Sequence, residues 1–75
     1  MNLPNKSVSY EESVISKFPL VLRAIPSGGI SPLDLYNAVQ DSLLDIAEFT
    51  EVLDCLFVLG KIKLDTEKGL LCHAN

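Results

Sequence analysis

The sequence predicts a mainly α-helical domain closed by a C-terminal β-hairpin, and three observations predict it. Polar helix-start signatures recur three times, a glycine follows the most strongly patterned apolar helix, and beyond that glycine the hydrophobic period changes from 3.6 to 2. The 75 residues are 48% apolar and 21% charged. That composition is too apolar for a disordered tail, and the length excludes a Rossmann unit with a substrate site, a barrel or a bilobed kinase.

Each helix start pairs a Ser or Asp cap with an acid three residues later: Ser9 with Glu12, Ser31 with Asp34, Asp45 with Glu48. The first helical region carries Val14, Phe18, Val21, Leu22 and Ile25 at helical spacing, but Pro19 lies inside it. Proline lacks an amide hydrogen and disfavours helical geometry in the residue before it, so a break is expected between a piece at about 10–17 and one at about 19–25. Pro26-Ser27-Gly28-Gly29 turns the chain, and Ile30 is placed for an isolated strand contact. A second helix at about 32–41 starts with Pro32 at its first position and has Leu33, Leu35, Tyr36 and Val39 as its apolar face. A third, at about 46–59, carries Ile46, Phe49, Leu53, Leu56 and Phe57, with Gly60 as its stop. Lys61 to Leu64 then alternates, 65–69 is a turn and 70–72 returns as a strand. This order is that of a minimal winged helix-turn-helix, with the hairpin as the wing and the third helix in the recognition position. The domain is expected over 9–75, preceded by an extended arm at 1–8 in which Leu3 and Pro4 look like a docking segment.

Several chemistries find no support in the residues. Cys55 and Cys72 lack the spacing of a metal site and are expected as reduced, partly buried thiols, and His73 as a solvated side chain. Gly28-Gly29 lacks the lysine and spacing of a phosphate loop, and no serine or cysteine has a histidine at plausible range. Neither catalysis, a cofactor nor a small-molecule substrate is expected. No stretch approaches the roughly 20 apolar residues of a membrane span, so a cytoplasmic location is expected.

The formal charge of −4 is unevenly distributed. Residues 1–30 and 61–75 each sum to +1, whereas 31–60 hold six acids and neither lysine nor arginine, a sum of −6. That stretch is the helix pair that would have to lie on phosphates spaced about 1.7 Å per charge along a duplex. Base readers carry Arg, Lys, Asn or Gln on the recognition helix; here the third helix offers Glu48, Thr50, Glu51 and Asp54. DNA contact by this chain alone is therefore unfavourable. The acids fit either a solvated helix face or a surface that meets another protein. From Val52 to Leu59, seven of eight residues are apolar, more than one core-facing stripe needs. The helix is either central or contributes to a partner surface that includes Phe57, Val58 or the exposed side of the second helix.

Residue by residue, the chain resembles the small winged-helix middle component of ABC-ATPase three-component systems, bacterial conflict modules encoding an ABC or SMC-like ATPase and an effector-associated third component. The resemblance rests on Leu3-Pro4-Asn5-Lys6, Glu12-Ser13-Val14-Ile15, Leu33 with Tyr36, and the run Phe49, Leu53-Asp54, Phe57, Gly60, Lys63-Leu64. It covers Leu3 to Leu71 and departs from the family pattern at Pro19. It implies a non-catalytic adaptor joining the ATPase subunit to the third, effector-associated subunit in anti-phage or anti-plasmid defence. Candidate partner contacts are Leu3, Pro4, Lys6, Tyr36, Glu48, Glu51, Asp54, Phe57 and Val58. Two other functions fit the same pattern: a DNA-binding regulator or antitoxin-like winged helix, and a DNA mimic that uses the acidic stretch.

Overall fold

A computed structural model describes residues 11–74. The arm expected at 1–8, with Leu3, Pro4 and Lys6, and the first cap at Ser9 lie outside the described residues.

Residues 11–16 form helical turns (α1), and α2 spans Phe18–Ala24. The break falls on Lys17, whose N–H reaches back only three residues to the Val14 carbonyl at 3.1 Å, while its own carbonyl accepts from Val21 at 3.0 Å. Pro19 thus sits in the first turn of a new helix, where its missing N–H leaves no bond unmade. This moves the expected boundary: α2 begins at Phe18, which proline was expected to push out of the helix, and ends one residue before Ile25, the extended cap.

The second helix, α3, spans Pro32–Val39, capped by the Ser31 hydroxyl oxygen, which accepts from the Asp34 N–H at 3.1 Å. It is shorter than expected because Gln40–Ser42 tightens into a 3₁₀ turn. The next helix, α4, spans Ile46–Val58 and starts at Asp45, whose carboxylate accepts from the Glu48 N–H at 2.9 Å. Its end is a Schellman closure: Gly60 N–H bonds to the Phe57 carbonyl at 3.0 Å and Lys61 N–H to the Leu56 carbonyl at 2.9 Å. That closure puts Gly60 at φ +75°, a conformation that L side chains resist and glycine does not.

Two antiparallel strands follow, β1 (Ile62–Asp65) and β2 (Leu70–His73), paired from Ile62 opposite His73 to Asp65 opposite Leu70. The Asp65 carboxylate holds the turn by accepting from the N–H groups of Glu67 and Lys68 at 3.0 and 3.2 Å. Ile30 bridges to Leu71 on the other edge of β2, exchanging N–H to carbonyl bonds of 3.0 and 2.7 Å. Gly29 permits this approach. Its φ is +90°, and a Cβ there would lie 2.8 Å from Cys72 Sγ, closer than nonbonded atoms tolerate. His73 Nε2 donates to the Ile25 carbonyl at 2.9 Å, so this exposed imidazole, expected to be merely solvated, ties β2 to the end of α2.

The core lies where α2, α3, α4 and the hairpin converge: Val21, Leu35, Val52 and Leu56 are wholly buried, with Ile62 and Leu71 closing it from the sheet. Each large aliphatic there contributes roughly 1.5–3 kcal/mol by leaving water. Two expected faces are corrected by this packing. Leu33 and Ile46 are exposed, as is Phe57, because α3 turns Leu35 and Val39 inward and α4 turns Phe49, Val52 and Leu56. Among the described residues no helix is long and apolar enough to cross a membrane.

Candidate functional site

The helix α4 carries more apolar residues than the core uses. Phe49, Val52 and Leu56 form its buried stripe, with Leu53 and Cys55 half-buried beside it. At about 100° per residue, Val58 lies about 200° around the axis from Leu56, so it must face away from the core. Val58 is 85% exposed and Leu59 57% exposed. Across from them stands Ile15 of α1, 58% exposed. Between the two helices runs an open groove of about 450 Å³ whose walls include Ile15, Phe18, Cys55, Val58 and Leu59, with Glu51 and Asp54 at its margin. A second stretch, lined by Glu11, Val14, Ile15, Glu51 and Cys55, continues it along α1.

The first turn of α4 is built on the opposite principle. Glu48 is wholly buried. Its Oε2 accepts from the Ser13 hydroxyl at 2.7 Å, and its Oε1 accepts from the Leu44 N–H at 2.8 Å and from Lys17 Nζ at 3.4 Å. A capping box would send this side chain to the amide of Asp45; here it reaches one residue further back. Burial alone would raise the carboxyl pKa, but the Leu44 amide, the Ser13 hydroxyl and the Lys17 ammonium outweigh it and leave the pKa below the ordinary 4.5. Among the described residues no buried side-chain polar atom lacks a partner.

These positions sort the expected site residues. Glu51, Asp54 and Val58 come together at the groove, and Phe57 is 40% exposed on the neighbouring side of the helix. Glu48 is corrected: it belongs to the interior and not to an acidic outer face, because Ser13 of α1, Lys17 at the break after it and the Leu44 N–H before α4 meet it there. Tyr36 is half-buried, its ring edge-on to Phe49 at a centroid distance of 5.1 Å and an interplanar angle of 63°, so it packs α3 against α4. Ile15 and Leu59 were missed. Ile15 lies beside the stripe of core positions in α1, and only the packing of α1 along α4 reveals that it faces Val58. Of the six acids in 31–60, five remain exposed and none has a cation within ion-pair distance among the described residues. Among those residues no group of three His, Cys, Asp or Glu could hold a metal ion.

A family model described as "ABC-three component (ABC-3C) system Middle Component 7" matches residues 3–71. No curated protein and no solved structure matches the chain. The matched span takes in α1 to α4, Ile30 and most of the hairpin, including the acidic groove and the buried Glu48: the chain belongs to the family of middle components of ABC-three component systems.

Proposed function

We propose that this protein is a non-catalytic adaptor subunit, cytoplasmic, that joins an ABC or SMC-like ATPase to an effector-associated third component in a bacterial anti-phage or anti-plasmid defence complex. The observation that carries this is the outer surface of α4, which offers apolar and acidic side chains, Glu51, Asp54, Phe57 and Val58, and neither lysine nor arginine. Such a surface suits protein partners and repels phosphates. Membership of a component family supplies the context.

The proposed architecture is a winged helix-turn-helix over residues 9–75, with 1–8 as an arm that reaches a partner. In its support, Ile30, β2 and β1 line up as three paired segments, α3 and α4 stand between Ile30 and the hairpin, and the hairpin leaves directly from the end of α4. In this reading α4, the helix that DNA readers insert into the major groove, has been given over to protein contact.

Coexpression with the two components encoded beside it tests the function: the chain is expected to copurify in a fixed ratio with the ATPase. Recovery as a lone monomer would overturn the proposal. Submicromolar, steeply salt-dependent binding to duplex DNA would replace it with the regulator function. A DNA mimic would be displaced from its partner by duplex DNA, which an adaptor would not; reversal of Glu48 disrupts the interior and reports on folding.

A further inference from the structure

We propose that the groove between α1 and α4 receives an amphipathic helix with basic flanks, contributed by a partner component. The proposal rests on the adaptor function only for the identity of the protein that owns the helix.

The groove has the shape and chemistry for this occupant. It runs between two helices, and from Glu51 to Leu59 it follows α4 for about 12 Å at about 1.5 Å per residue, room for two turns of a helix laid alongside. Its apolar walls, Ile15 against Val58 and Leu59, are exposed and covered by no other described residue, and an apolar helical face recognises such a surface by anchors at i, i+3, i+4 and i+7. Every charged residue lining it among the described residues is acidic: Glu11, Glu51 and Asp54. Lys17 is turned to Glu48, and among the described residues no cation pairs with the acids of the margin. Charge complementarity therefore asks for lysine or arginine beside the partner's apolar stripe. A second copy meets this requirement poorly: the chain carries −4 overall, and of the described cations Lys61, Lys63 and Lys68 stand on the hairpin and the residue leading into it, Lys17 is paired to Glu48, and Arg23 alone stands on a helix.

The full-length chain, isotopically labelled, is titrated with a synthetic peptide bearing leucines at i, i+3, i+4 and i+7 flanked by lysines, and with its counterpart carrying glutamates instead. The lysine peptide is expected to shift the Ile15, Val58 and Leu59 resonances saturably and to bind about tenfold tighter than the glutamate peptide, an advantage that salt erodes. I15D or V58D should abolish the response, Leu33→Asp on α3 should keep it, and E51K/D54K should invert the preference. Failure to saturate at these residues, or equal binding of both peptides, overturns the proposal. So does a dimer in native mass measurement that V58D dissociates, which assigns the groove to a second copy. So does a marked tightening of peptide binding in L3D, which assigns it to the chain's own first residues. In coexpression, a complex that survives both I15D and V58D overturns the groove and leaves the adaptor function standing. Peptide capture at the groove with no complex does the reverse.

Discussion

The two ends of α4 invert the usual distribution of polarity. Its first turn takes a carboxylate wholly into the interior, whereas its last turn leaves Val58 and Leu59 in water. At the first end the desolvation of Glu48 is offset by three donors, so the charge is a fixed part of the fold that clamps α1 and the turn at Leu44 to the helix. At the last end nothing among the described residues covers the apolar side chains of Val58 and Leu59 across from Ile15. One end is finished within the chain; the other, in our proposal, is finished by a partner laid over it. The same sequence property, six acids and a dense apolar run between residues 31 and 60, therefore divides into a structural half and an exposed half that we propose is functional.

The largest effect should come from the finished end. Glu48→Ala strands the Leu44 N–H, the Ser13 hydroxyl and the Lys17 ammonium, and is expected to cost about 2–4 kcal/mol in urea unfolding; a loss under about 1 kcal/mol would mean the buried contacts contribute little. The charge also has a pH signature. Because the folded pKa lies below the ordinary 4.5, the stabilisation is complete above that value and is lost as pH falls through the folded value. Stability measured from pH 7 down to 3 should thus decline more steeply in the wild type than in Glu48→Gln. Next in size are the terminators. Gly60→Ala places a Cβ in the left-handed region and is expected to cost about 1–2 kcal/mol. Asp45→Ala removes the N-cap acceptor, at about 1 kcal/mol. The smallest effect belongs to the open end: Val58→Asp should change stability by no more than about 0.5 kcal/mol. A cost several times larger would show that Val58 is packed by the chain itself and would erase the contrast between the two ends.

Much of the fold was legible because it is local. The caps at Ser31 and Asp45, the stop at Gly60, the Ile30 contact and the hairpin each depend on a few neighbouring residues with specific backbone demands, and each appears within a residue or so of its expected place. The break at Pro19 was readable as a break, while its placement on Lys17 followed from which carbonyls were left to share. What the sequence could not display is which of several apolar or charged residues at equivalent spacing turns inward. Ile46 and Phe57 fit a helical stripe as well as Val52 does, and only the position of α2 and the hairpin decides for Val52. Glu48 carries the same signature as Asp34, an acid three residues after a cap, yet one is buried and the other exposed, because Ser13 and Lys17 of the N-terminal helical region happen to meet the former. The groove was half legible: its acids and Val58 stood out in the sequence, and its opposite wall, Ile15, did not.

The central claim is that α4 is completed by a partner protein at its open end. It is tested most directly by coexpressing the wild-type chain and Val58→Asp with the proposed ATPase and third component, followed by mass determination of what copurifies. A stoichiometric complex with the wild type and none with a folded Val58→Asp chain is the result predicted here. A wild-type chain recovered alone, or a complex indifferent to the substitution, would contradict it.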